Sequence, residues 1–266
     1  MLRSVAAKTL HDQRRALVTW AVSLALLVAM YVAIWPSVRD QPSMSDFLDR
    51  MPEAFRAMFA MSGADMSTPT GYVQIELLSF MGPMLLLIYT ITAGSGAIAG
   101  EEDRHTLDLL LANPVGRTRI VLEKLAAMAA GTALLAAVTA VALLAEGAAA
   151  GMDLPAGNVM AAMAHMGLLA LVFGSLALAI GAGTGHASAS RAVPAIVAVV
   201  AYVINGLGPI VSWLGPIQRY SPFYQYAGHD PLRNGLSVPA VLVALATVAV
   251  LAGIAVAAFR RRDVAA

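Results

Sequence analysis

No cysteine occurs among the 266 residues, so a disulfide framework, a thiolate nucleophile and a cysteine zinc site are all excluded. Charge is nearly as scarce: only 12% of residues are Asp, Glu, Lys or Arg, and the formal net charge is +1. That balance provides no basic field for nucleic acid, which is excluded as a partner. Lysine is reduced to Lys8 and Lys124, and neither follows the glycines of a phosphate loop, so the chain has no means of cradling ATP by itself. His11, His105, His165, His186 and His229 are scattered, with no two at the short helical spacing of a metal site, and none is read as a ligand.

What the sequence has in excess is apolar side chain, 59% of all residues, with a mean hydropathy of +0.74. A single domain of this length could not close a core around so much apolar surface in water, whereas lipid tails accept it at no cost. A hydrocarbon layer about 30 Å thick takes about 20 helical residues to cross. Six uncharged runs of that order occur, at 16–35, 80–99, 125–145, 159–183, 192–214 and 238–259. The expected fold is an all-α membrane protein with six transmembrane helices, a single transmembrane domain over 1–266.

The basic start of the chain superficially resembles a signal peptide, but the first run is too long for one and lacks a small-residue cleavage site. Ahead of it, Leu2, Val5, Ala6, Thr9 and Leu10 share a helical face from which Arg3, Lys8 and His11 are largely absent. Residues 1–15 therefore read either as an amphipathic interfacial helix or as a frayed basic tail. Cytoplasmic connections accumulate Lys and Arg. One face collects Arg3, Lys8, Arg14, Arg15, Arg104, Arg117, Arg119, Lys124, Arg191 and Arg260 to Arg262, against Arg39, Arg50, Arg56, Arg219 and Arg233 on the other. Both chain ends are thus expected on the cytoplasmic side of the cell's inner (plasma) membrane.

The longest connection, 36–79, carries Phe47, Met51, Phe55, Met58 and Phe59 at helical spacing and is expected to contain an interfacial helix. The connection 215–237, rich in Tyr220, Pro222, Phe223, Tyr224 and Tyr226, is expected to anchor in the headgroup zone. Glycines at 94, 96 and 100, and again at 181, 183 and 185, read as small faces for close helix packing.

Residues 100–120, between the second and third runs, have the parts of one short cytoplasmic helix. Glu101, Glu102 and Asp103 would meet the positive end of the helix dipole, Leu107, Leu110 and Leu111 would form an apolar stripe, and Pro114 disfavours helix at Asn113. On physical grounds such a segment either receives a cytoplasmic partner or is a hairpin that only stabilises the fold.

Gly100-Glu-Glu-Asp-Arg-His-Thr-Leu-Asp-Leu-Leu-Leu-Ala-Asn-Pro-Val-Gly-Arg117 resembles the cytoplasmic signature of ABC type-2 transporter permeases. Ser221-Pro-Phe-Tyr-Gln-Tyr226 and Phe259-Arg-Arg-Arg-Asp-Val264 resemble two further patterns of that family, in the same order. Gly116 stands where small hydroxylated residues are also common. The resemblance covers the whole chain and implies a permease subunit that exports a lipophilic or amphiphilic substrate, such as a drug, lipid or peptide. It further implies a coupling helix over Glu101 to Pro114 that docks on a separate nucleotide-binding ATPase subunit, which would hold the ATP and Mg. This chain itself would bind no cofactor and catalyse no reaction. Glu101 and Glu102 would be polar contacts to that subunit, Thr106, Leu107 and Leu110 the packing face, and Pro114 with Arg117 the exit to the third span. A second permease copy, identical or related, would complete the membrane part.

The competing reading is a secondary transporter or channel, which would place ionisable groups near the midplane, where they are costly and kept for function. None is found there: Glu76, Glu123, Lys124 and Glu146 fall at span ends, and His165 and Asn205 read as helix-packing hydrogen bonders. An intramembrane enzyme would need a nucleophile with a base, or paired acids on facing spans, and no such constellation is visible. A non-transporting membrane scaffold stays open on sequence alone.

Overall fold

A computed structural model of the chain describes residues 4–39, 50–52, 65–112 and 114–262. Among these, six helices are long and apolar enough to cross a membrane: α1 (Val5–Arg39), α2 (Pro69–Ala97), α5 (Arg117–Ala149), α6 (Ala156–Thr184), α7 (Ala187–Leu207) and α11 (Val238–Arg261). Two short helices, α3 (Ala99–Asp103) and α4 (Leu107–Leu111), join α2 to α5. Three more, α8 (Gly215–Gln218), α9 (Pro222–Ala227) and α10 (Pro231–Asn234), join α7 to α11. No strand occurs among the described residues. The chain is an all-α, multi-pass membrane protein, as its hydropathy predicts.

The middle of the bundle is α6. Over its most apolar stretch α6 is 72% buried, whereas α1 and α11 are 22% buried and α7 is 28% buried, so the last three present most of their surface outward. Composition explains the difference. Gly167, Gly174 and Gly181 recur every seven residues on α6, two helical turns apart, and give one face almost no side-chain bulk. A Cβ at Gly94 of α2 would collide with the carbonyl of Gly174, so the two backbones touch where both residues are glycine. Gly181 makes a looser contact, with side chains rather than backbone, on Ser190 and Ala99. Gly96 does not belong to this contact, because a Cβ there would meet nothing within 4 Å. Gly185 serves as the left-handed cap of α6, at φ 71°.

Several boundaries differ from expectation for identifiable reasons. The amphipathic start runs into the first span without a break, so it is an extension of α1 rather than a separate interfacial helix. Glu123 of α5 holds that extension in place by accepting a hydrogen bond from the Ala6 amide at 3.0 Å, a carboxylate at the positive end of the helix. The second span begins at Pro69 instead of residue 80, because Gln74 and Glu76, which interrupt the apolar run, are taken into the helix.

Within α2, residues Gln74–Met81 form a π-helix. The cause is Pro83, whose ring would press on the carbonyl four residues earlier; widening the preceding turn relieves that clash, and the carbonyl left without an amide donor becomes that of Leu78. Gly82 accordingly donates to the Leu77 carbonyl, five residues back. The Leu78 carbonyl, with proline five residues on, accepts instead from the Tyr226 hydroxyl at 2.8 Å.

That contact corrects the reading of 215–237 as a headgroup anchor. Phe223 and Tyr226 are buried, and Phe223 packs on Phe173 and Tyr202, while Tyr220 alone of the named aromatics is 82% exposed. Helix α9 thus packs against the middle of α6, at Phe173, and is capped by Ser221, whose hydroxyl accepts from the Phe223 amide and donates to the Ala201 carbonyl. The fifth span stops at Leu207 rather than 214, where Gly208-Pro209 ends the helix. The helix expected among Phe47 to Phe59 lies outside the described residues, apart from 50–52.

Candidate functional site

The α2–α5 connection lies on the same face of the bundle as the start of α1 and the end of α11. It is two short helices rather than the single one expected. The break falls at Arg104-His105, where His105 adopts a left-handed backbone at φ 55°, an uncommon conformation for a residue with a side chain. Glu101, Glu102 and Asp103 therefore close α3 instead of opening one longer helix.

Glu101 stabilises the bend. Its carboxylate accepts from the Lys124 ammonium of α5 at 2.8 Å and from the Thr106 hydroxyl at 2.6 Å, and its carbonyl accepts from the Thr106 amide. Lys124 is only 7% exposed, so this is a largely buried ion pair spanning the connection and the third transmembrane helix. Burial raises the Glu101 pKa, but the hydrogen bonds from Lys124 and Thr106, with the charges of Lys124 and Arg104, outweigh it and hold the group below the ordinary carboxylate value.

Glu102 pairs with Arg262, immediately beyond α11. The same guanidinium donates to the carbonyls of Ala182 at 3.2 Å and Gly181 at 3.4 Å, placing a cation at the negative end of α6, where the Gly181 carbonyl also accepts from the Gly185 amide. Arg117, at the first position of α5, donates to the Phe259 carbonyl at 2.9 Å and lies over the Phe259 ring at 5.4 Å. It also donates to the Arg262 carbonyl. Three transmembrane helices, α5, α6 and α11, are thereby fastened to one short connection.

The predicted site residues divide into two groups. Glu101, Thr106, Glu102 and Arg117 are brought together, but as internal fasteners with partners inside the chain. Leu107, expected on a packing face for a partner, is 1% exposed and sits in a cluster with Ile98, Ile120, Val121, Leu178 and Phe259. It is a core residue of this chain, because α4 turns its first leucine toward the bundle. Leu110 is half-buried and Pro114 exposed. The exposed polar side chains of α3, α4 and the turn between them are Asp103, Arg104, His105 and Asp108, none of which the sequence reading gave a docking role. Arg262 and Lys124 were also missed: in the sequence both served only to count charge on one face, and nothing local indicates their partners.

The profile of the ABC-2 family transporter proteins matches residues 3–264 of this sequence. The chain belongs to the ABC-2 transporter family. No curated protein matches it significantly. As an ABC-2 member with six apolar helices, it is a membrane-spanning permease of an ABC transporter, and its family generally works with an ATP-binding subunit.

Proposed function

We propose that this ABC-2 permease is the substrate-conducting half of an ATP-driven exporter, and that α3 and α4 receive the ATPase. One observation carries the reading: the connection has an inner side fastened to α5, α6 and α11 and an outer side of unburied polar residues. A partner that grips Asp103, Arg104, His105 and Asp108 would move three transmembrane helices at once through Lys124, Arg262 and Arg117. In this reading Glu101 and Glu102 transmit force rather than touch the ATPase, and Leu107 belongs to the lever itself.

The ATP and Mg belong to the nucleotide-binding subunit. The basic face and both chain ends lie in the cytoplasm of a cell whose plasma membrane the protein spans. A second permease copy faces the outward apolar sides of the bundle, and substrate leaves between the copies. The substrate is lipophilic or amphiphilic.

The test is co-purification with the ATPase from membranes. Arg104→Glu with Asp108→Arg, both exposed, should abolish it while the permease stays folded and membrane-bound. Unchanged co-purification would refute the assignment of this surface. Leu107→Ala provides the contrast: it should destabilise the permease alone by about 2–5 kcal/mol of lost core packing, read as a lower melting temperature.

A further inference from the structure

The start of α1 and the α2–α5 connection flank an open cleft of about 1170 Å³, larger than the usual site for a drug-sized molecule. Its two ends differ in chemistry. At the outer end stand Lys8, Asp12, Asp103, Arg104 and Arg191, all exposed and none in an ion pair among the described residues. The other charges of the lining are already matched, Glu101 by Lys124 and Glu123 by Arg119. At the inner end the lining is Trp20, Tyr89, Ala93 and Met128.

Lys8 and Trp20 are separated along α1 by about 18 Å at 1.5 Å per residue. That is close to the depth of one leaflet, half of a hydrocarbon core of about 30 Å.

We infer that this cleft holds a phospholipid drawn from the adjoining leaflet, with a headgroup that carries both a phosphate and an amine. Lys8, Arg104 and Arg191 supply three cations for the phosphate, and Asp12 and Asp103 two carboxylates for the ammonium. A headgroup with a phosphate and no amine would leave both carboxylates facing negative charge. The glycerol and ester groups fall at the depth of Gln13, and the first acyl carbons against Trp20, Tyr89, Ala93 and Met128. The inference concerns a resident lipid and needs no ATPase; it shares Asp103 and Arg104 with the docking surface proposed above, so lipid retention is read on the permease without its partner.

The experiment extracts the permease, without partner, from membranes containing phosphatidylethanolamine and phosphatidylglycerol, washes it in mild detergent and quantifies retained lipid by mass spectrometry. Phosphatidylethanolamine should be retained, enriched over phosphatidylglycerol by roughly tenfold relative to the membrane, as one hydrogen bond to a charged group provides. Gly96→Leu, whose Cβ meets open space in the cleft wall, should expel it while favouring the helix. Asp12→Asn with Asp103→Asn should keep a lipid but lose the preference for the amine. Retention of the same lipid by Gly96→Leu, or equal retention of both lipids by the natural chain, would overturn the inference. Lys8→Ala with Arg104→Ala, both exposed, gives the same readout should Gly96→Leu not fold.

Discussion

Removing the Glu101 carboxylate should be among the most damaging single changes on the connection face, and the structure sets its size. Lys124 is 7% exposed, and Glu101 is the partner that compensates its charge. Glu101→Ala leaves that ammonium buried and unpaired, a loss of about 3–5 kcal/mol for buried pairs, reduced here toward 3 because Glu101 keeps 24% of its own exposure. At about 2–4 °C per kcal/mol for a chain of roughly this length, the melting temperature in detergent should fall by roughly 6–12 °C. Lys124→Met on the same background should restore most of it, since the uncharged pair no longer carries a desolvation penalty. Thermal unfolding of the two single variants and the double variant closes the cycle. Additive effects would show that Glu101 and Lys124 do not act as a pair, and the account of the connection would fail.

The pH dependence follows with a definite sign. The pKa of Glu101 is lower in the folded protein than its ordinary 4.5, so its contribution to stability is complete above that value and is lost as pH falls through the lower folded one. Melting temperatures measured from neutral pH downward should therefore drop below about pH 4.5, and Glu101→Gln should flatten that drop.

Two further outcomes test the bundle. Tyr226→Phe removes the hydroxyl that satisfies the Leu78 carbonyl beside Pro83 and should cost about 1–3 kcal/mol, read as a lower melting temperature; no change would mean that the π-helix needs no outside donor. Gly94→Ala should sharply reduce monodisperse protein, because its Cβ meets the Gly174 backbone, whereas Gly96→Ala should be tolerated; equal behaviour of the two would refute the close crossing of α2 and α6.

Hydropathy and length alone specified six spans, the lipid solvent and the place of the informative connection, because a bilayer demands about 20 apolar residues per crossing whatever the packing. The order Gly100 to Arg117 was equally legible as a motif, since its residues are adjacent in the chain. Tertiary structure decided the rest. Glu101 with Lys124, Glu102 with Arg262 and Arg117 with Phe259 join residues far apart in sequence, and their pairing depends on the rotation and depth of packed helices, which no local pattern records. For the same reason Leu107, an apolar residue on an amphipathic segment, was readable as half of a contact but not as whose contact it was. Only the position of α4 against α5, α6 and α11 turned it into this protein's own core.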